Sequence, residues 1–273
     1  MEKIEKQKFF HIVIPAYNLE NCISKCIDSI LSQSFKDVGI TVVDDVSTDK
    51  TAKIVQEYAQ NNENVELLEL REKRYSGTAR NVGYRNTKFR SNYTWFVDGD
   101  DWIYRDSCLQ VIFNAASKDE PDAVFFNAIH YPSNVIVINK PVNLFDESFS
   151  YCAHQHYVVR TNIVQPYLDG CSYGEDVYHN FLQFDAIKTY KQIQDIVYVR
   201  NSRKESLTHD KRLSAYLFRQ KQIPILFDAL DSLIQSKAIK NPFVEKELIE
   251  RASHRKMHTT NVEISIKELS ECK

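Results

Sequence analysis

The stretch Tyr93-Thr94-Trp95-Phe96-Val97-Asp98-Gly99-Asp100-Asp101 poses the question of fold and the question of function together. Its first half is an aromatic and β-branched run, the composition of a buried strand. Its second half places three carboxylates in four residues. Like charges this close raise one another's pKa unless a cation sits between them. Hard carboxylate oxygens suit Mg²⁺ or Mn²⁺, and those ions suit phosphates. A strand that ends on such a cluster predicts a metal-assisted phosphate site at a sheet edge.

Working outward, strand and helix signals alternate on the N-terminal side. Phe9 to Ile14 reads as a buried strand stopped by Pro15, and Ile23, Cys26, Ile27, Ile30 and Leu31 repeat at helical spacing over about residues 20–34. Ile40 to Val43 is a second strand ending at Asp44-Asp45. Ser47, Thr48 or Asp49 can cap the helix that carries Ala52, Ile54, Val55 and Tyr58. Val65 to Leu70 is a third strand, and Gly77 to Thr87 a third helix. Beyond the acidic cluster, Asp106 can cap a helix to about Ser117. Ala123 to Ile129, Val135 to Ile138, Tyr157 to Arg160 and Ile193 to Arg200 read as strands, with a helix after Gly174. From about residue 211 the pattern is helical.

This order predicts an α/β protein with a mainly parallel sheet flanked by helices. Ligands of such sheets bind beyond the carboxyl ends of the strands. Pro15 to Asn18, Asp44-Asp45 and Asp98 to Asp101 all fall at those ends. The expected division is a catalytic domain over 1–210, with a nucleotide-binding half at 1–105 and an acceptor half at 106–210. A helical C-terminal extension covers 211–273.

The 273 residues carry 43% hydrophobic and 26% charged side chains, ordinary globular values. A net charge of −2 supplies no basic field for nucleic acid, so no nucleic-acid partner is expected. No apolar run reaches the roughly 20 residues of a membrane-spanning helix, and no signal peptide is evident, which points to the cytoplasm. The six cysteines form no CxxC pair and read as reduced thiols. No glycine-rich phosphate loop follows the first strand. That disfavours a nucleotide-binding dehydrogenase and counts against a nucleotidyltransferase that makes sugar nucleotides. A non-catalytic nucleotide-sugar-binding protein is the third alternative.

The segments His11 to Asn18, Cys26 to Phe35, Thr41 to Thr51, Gly77 to Gly83 and Trp95 to Asp101 stand in the order and spacing of a known family. Together they resemble the family 2 glycosyltransferases of the GT-A (Rossmann-like) fold. Gly174-Glu175-Asp176 and Ser206-Leu207-Thr208-His209 extend the resemblance more weakly. Val46 departs from the family's usual glycine after the paired aspartates.

The resemblance implies a metal-dependent, inverting transfer of a sugar from a nucleotide-sugar, with a UDP-sugar as the implied donor, to a hydroxyl of a glycan or glycolipid. Surface polysaccharide or oligosaccharide synthesis is the setting it implies. Pro15, Ala16, Tyr17, Asn18 and Asp45 would form the nucleotide pocket, with Tyr17 against the base and Asp45 facing uracil. Arg80 would contact a phosphate or pair with the acidic cluster. Asp98 would lie near ribose or metal, Asp100 would be the main ligand of Mn²⁺ or Mg²⁺, and His209 a further metal or phosphate ligand. Asp176 would be the general base and Glu175 an acceptor-binding group. Gly99 would let the backbone approach the donor closely. His154 and His156 read as lying on one side of a strand, with no metal site. The basic residues Arg251, His254, Arg255, Lys256 and His258 raise peripheral membrane contact through the C-terminal helices, at the inner face of the membrane.

Overall fold

A computed structural model describes residues 6–138, 153–202 and 213–253. The chain opens with β1 (Lys6–Ala16), α1 (Ile23–Leu31), β2 (Val38–Asp44), α2 (Thr51–Asn61), β3 (Val65–Glu69), α3 (Tyr75–Asn86) and β4 (Phe89–Phe96). It continues through β5 (Trp102–Ile103), α4 (Cys108–Asp119), β6 (Ala123–Tyr131), β7 (Val135–Val137), β8 (Tyr157–Arg160) and α5 (Glu175–Ala186). β9 (Tyr190–Asn201), α6 (Leu213–Gln235) and α7 (Pro242–Ser253) complete it.

The strands form one sheet in the order β3-β2-β1-β4-β8-β6-β9-β5, with β7 paired to β6. β3, β2, β1 and β4 run parallel, as their helical crossovers require, and β9 runs parallel to β6. β8 is inserted antiparallel between β4 and β6, and β5 and β7 are antiparallel additions. The parallel register pairs Ala16 with Asp44 and Val13 with Phe96. The polar residues that follow these strands therefore emerge side by side along one edge.

Two apolar clusters hold the layers together. The first joins Ile12, Ile14, Ile40, Val42, Trp95 and Val97 of the sheet to Ile23, Ile27 and Ile30 of α1 and Leu109 and Ile112 of α4. Each fully buried Ile or Leu here contributes about 1.5–3 kcal/mol. The second cluster joins Phe125, Tyr157 and Val159 to Phe181 and Phe184 of α5, and to Phe227, Leu230, Val244 and Leu248 of α6 and α7. The helical extension thus packs onto the body of the fold through a shared core.

Three local expectations change. Asp106 does not cap α4. The buried carboxamide of Gln33 does: its Oε1 accepts the Leu109 amide at 2.9 Å, while its Nε2 donates to Ser29 and Arg105 carbonyls at 2.9 and 2.7 Å. This work takes Gln33 out of α1, which ends at Leu31. His154 and His156 lie in a 3₁₀ turn (His154–His156) before β8, both buried, where a strand was expected. The N-cap of α2 is Lys50, with no side-chain cap; Asp49, one position before it, accepts both the amide and the hydroxyl of Thr51 on Oδ1.

No disulfide joins the described cysteines, and Cys26, Cys108 and Cys171 are buried. No described helix is long and apolar enough to cross a membrane. Cys152, Cys272, His209 and the basic residues from His254 onward lie outside the described residues.

Candidate active site

A cavity of about 680 Å³ opens along the sheet edge where β1, β2 and β4 end. Pro15, Ala16 and Tyr17 form its floor, and Tyr17 is 45% exposed to it. Asn18 is the exception among the expected nucleotide residues. Its carboxamide oxygen accepts the Thr48 amide at 2.8 Å, bracing the loop after β2, and the residue is not part of the cavity wall.

Asp45 is buried and anchors the loop before α3. Its two oxygens accept the backbone amides of Arg74 (2.7 Å) and Tyr75 (2.8 Å), and Lys73 Nζ lies 2.9 Å from Oδ2. The same ammonium lies 2.8 Å from the centroid of the Tyr17 ring, a close cation–π contact. Burial lowers the Lys73 pKa, against the pull of Asp45 and Asp44. Val46 and Tyr75, on either side of this corner, both have left-handed backbones, with φ of 62° and 66°. The turn that a glycine would make freely is here made by a β-branched residue. Tyr75 packs its ring 5.5 Å from that of Phe218 on α6, which also lines the cavity.

The three carboxylates after β4 have separate fates. Asp98 accepts Arg80 Nη2 at 2.7 Å on Oδ1 and Gln155 Nε2 at 2.5 Å on Oδ2. Burial opposes its ionisation, but Arg80, His154 and Gln155 outweigh burial and hold it well below the usual carboxylate range. Asp101 turns inward: Tyr198 donates its hydroxyl to it at 2.5 Å and the Asn201 amide at 2.7 Å. Burial, Asp100 and Asp98 push its carboxyl well up. Asp100 lines the cavity. Gly99 is small for an inward reason: a Cβ there would meet Leu19 Cδ1 at 2.7 Å and Ile14 and Ile23 at 3.2 Å. Gly99 also lines the cavity, so its backbone faces the first cavity while its missing side chain makes room for the core.

Among the described residues no three His, Cys, Asp or Glu side chains converge as a complete cation site. Asp98 and Asp100 on one wall fit the other arrangement, in which one or two carboxylates hold Mg²⁺ or Mn²⁺ and phosphate oxygens and water complete the shell.

A second cavity, of about 510 Å³, shares Arg80, Asp98, Ser172 and Arg200 with the first. Gly174, at φ 83°, turns the chain into α5 and sets Glu175 and Asp176 in its first turn, where the helix dipole favours acids. Glu175 is buried, with Oε1 accepting Arg80 Nη1 at 2.8 Å and the Ser76 hydroxyl at 2.7 Å. Arg80 is therefore an internal clamp between Asp98 and Glu175, which settles its pairing with the acidic cluster. Asp176 lines the second cavity with 32% of its side chain exposed. Burial, then Glu175, raises its carboxyl, with Asp98 adding to the rise and His154 and Arg80 opposing it. A carboxylate of raised basicity in an open cavity is equipped to accept a proton.

Sequence reasoning passed over Lys73, Tyr75, Gln155, Arg200 and Phe218, which the fold brings here together with His154, a residue it had named without a role. His154, 3% exposed, has Nε2 3.5 Å from Asp98 Oδ1 and Nδ1 4.0 Å from Asp176 Oδ2. His154, Gln155 and His156 are all buried, which the sequence alone does not reveal.

Residues 11–172 match the family described as glycosyl transferase family 2, and the chain belongs to it. Glycosyltransferase GlyA of Streptococcus pneumoniae is 40% identical over 95 residues, 35% of this chain and 13% of that protein. Chondroitin synthase of Escherichia coli is 28% identical over 198 residues, 69% of this chain and 28% of that protein. The chain thus spans a minor part of the curated relatives it matches. In structure it resembles S. aureus TarS 1–349 in complex with UDP-GlcNAc, with a TM-score of 0.64 and 18% identity over 83% of this chain and 73% of that one. It also resembles the mannosyltransferase PcManGT of Pyrobaculum calidifontis in complex with GDP-Man and Mn²⁺, with a TM-score of 0.60 and 14% identity over 93% of this chain and 76% of that one. These likenesses establish the GT-A fold.

Proposed function

We propose that this protein is an inverting glycosyltransferase that moves a sugar from a nucleoside diphosphate donor, a UDP-sugar, to a hydroxyl of a glycan or glycolipid. The observation that carries the reading is the placement of two carboxylates of opposite character on two connected cavities. Asp98, held ionised by Arg80, belongs to both cavities, and Asp176, of raised basicity, belongs to the second. The donor lies in the first cavity, with its base toward Tyr17 and Asp45 and its diphosphate toward Asp98 and Asp100.

Asp98 and Asp100 would hold a divalent cation, which supplies Lewis-acid neutralisation of the diphosphate when bound. Asp176 takes the proton of the acceptor hydroxyl as that oxygen bonds to the anomeric carbon. The bond from that carbon to the diphosphate breaks, and its electron pair leaves with the nucleoside diphosphate. Attack opposite the leaving group inverts the configuration. Arg80 keeps Asp98 charged, and Glu175, with Oε1 engaged, offers its second oxygen to an acceptor hydroxyl. The UDP-GlcNAc bound by TarS supports uridine as the base.

The test is a panel of UDP-, GDP- and CDP-sugars with Mn²⁺ or Mg²⁺, read as nucleotide binding and as release during transfer. Asp176→Asn is expected to bind donor as the parent does and to lose transfer by about 10²–10⁴-fold. Full transfer by Asp100→Ala, or no binding of any donor, overturns the reading.

A further inference from the structure

His154 is a buried polar group on the wall of the second cavity that the chemistry above does not use. Both of its ring nitrogens lack a hydrogen-bond partner although the residue is 3% exposed. An orphaned buried donor or acceptor costs about 1–3 kcal/mol and is uncommon in folded proteins. The ring does not drift to relieve this, because its turn is pinned. The Gln155 carbonyl accepts Trp95 Nε1 at 2.9 Å, and the Gln155 side chain holds Asp98. Tyr167 packs edge-on against the imidazole at 5.6 Å, and Tyr167 is itself stacked on His179 at 3.8 Å.

The position of the ring explains why such a group is kept. It lies between Asp98 and Asp176, at 3.5 and 4.0 Å, on the wall of the second cavity. In an in-line displacement the anomeric carbon must lie between the leaving diphosphate, on the Asp98 side, and the attacking oxygen, on the Asp176 side. A group that touches both sides flanks that carbon. The two ring nitrogens of an imidazole can hydrogen-bond a sugar hydroxyl, or the hydroxyl and amide of an acetamido sugar.

We infer that His154 is a specificity-determining residue that hydrogen-bonds the transferred sugar beside its anomeric carbon. The inference rests on the nucleotide-sugar reading of the site. It separates His154 from Tyr17 and Asp45, which meet only the nucleotide.

The experiment compares affinities for nucleotide and nucleotide-sugar, UDP against UDP-N-acetylglucosamine and GDP against GDP-mannose, by calorimetry with Mn²⁺. The parent protein is expected to bind one sugar conjugate more tightly than its bare nucleotide. His154→Ala is expected to leave the bare nucleotide within about twofold and to cut the advantage of the conjugate about tenfold. His154→Gln, which keeps one donor and one acceptor, is expected to recover part of that advantage, and it carries the test alone if the alanine variant does not fold. An unchanged ratio in the variants, a parent ratio near one, or equal loss for nucleotide and conjugate overturns the assignment. A parent that binds neither pair overturns the nucleotide-sugar reading itself, which is a different result.

Discussion

Arg80 Nη1 lies 2.8 Å from Glu175 Oε1, a contact that ties α3 to the first turn of α5 across 95 residues of chain. Its other arm holds Asp98, so one buried guanidinium joins the carboxylates after β4 and at the start of α5. Arg80→Met leaves two largely buried carboxylates without their cation. Urea unfolding is expected to show a loss of about 3 kcal/mol, with transfer activity falling in parallel. Arg80→Lys, which cannot fork between two carboxylates, should fall between the two.

Val46 holds a left-handed backbone at the mouth of the nucleotide cavity. That conformation costs a residue with a Cβ about 1–2 kcal/mol, and glycine returns part of this through its freer unfolded chain. Val46→Gly is therefore expected to gain about 0.5–1 kcal/mol in denaturant unfolding. A loss would mean that the valine methyls make contacts worth more than the strain.

His11 is buried on β1, with Nε2 2.9 Å from Thr41 Oγ1, and burial lowers its pKa to about 3. Its unfolded value is 6.5, so acid protonates the unfolded chain first. Stability is full above about pH 6.5 and declines as pH falls through that value toward 3, by about 1.4 kcal/mol per unit for such a residue. His156, lowered to about 3 by burial and by His154, adds a slope of the same sign. Melting temperatures from pH 7 to 4 should fall accordingly, and His11→Gln should flatten the curve.

Gln33 supplies three hydrogen bonds at the start of α4 while only 1% exposed. Gln33→Ala strands the Leu109 amide and takes one donor each from the Ser29 and Arg105 carbonyls, which keep Ser32 Oγ and the Cys108 amide at 3.3 Å. A destabilisation of about 2–3 kcal/mol is expected by chemical denaturation. Gln33→Glu keeps the acceptor for Leu109 and loses the donors, so it should also destabilise.

The strand–helix alternation from residue 6 to 131 was legible because apolar residues repeat at periods that only one element type satisfies. Tyr17, Asp45, Asp98 and Asp100 were legible because a parallel sheet puts the ends of its strands on one edge. β8 was read as a strand, but its antiparallel direction was not legible, since Tyr157-Val158-Val159-Arg160 has the same composition in either direction. β5 has two residues, too few for any period. His154 and Lys73 were hidden for another reason. Each reaches the site from a turn or loop with no sequence pattern, and only the packed chain shows what stands opposite. The double engagement of Arg80 likewise depends on where α5 docks, which no local signal near Arg80 records.

Phe218 of α6 meets Tyr75 at the nucleotide cavity, and Arg251 of α7 lines the second one. The last helices of the described chain therefore border both cavities, although the stretch that matches the family stops at Ser172, before Asp176. Cutting the protein after β9 would take Phe218 from the first cavity and Leu226, Phe227, Leu230 and Arg251 from the second, and would strip the core that α6 and α7 share with α5. Exchanging these two helices would therefore reshape the second cavity far more than the first.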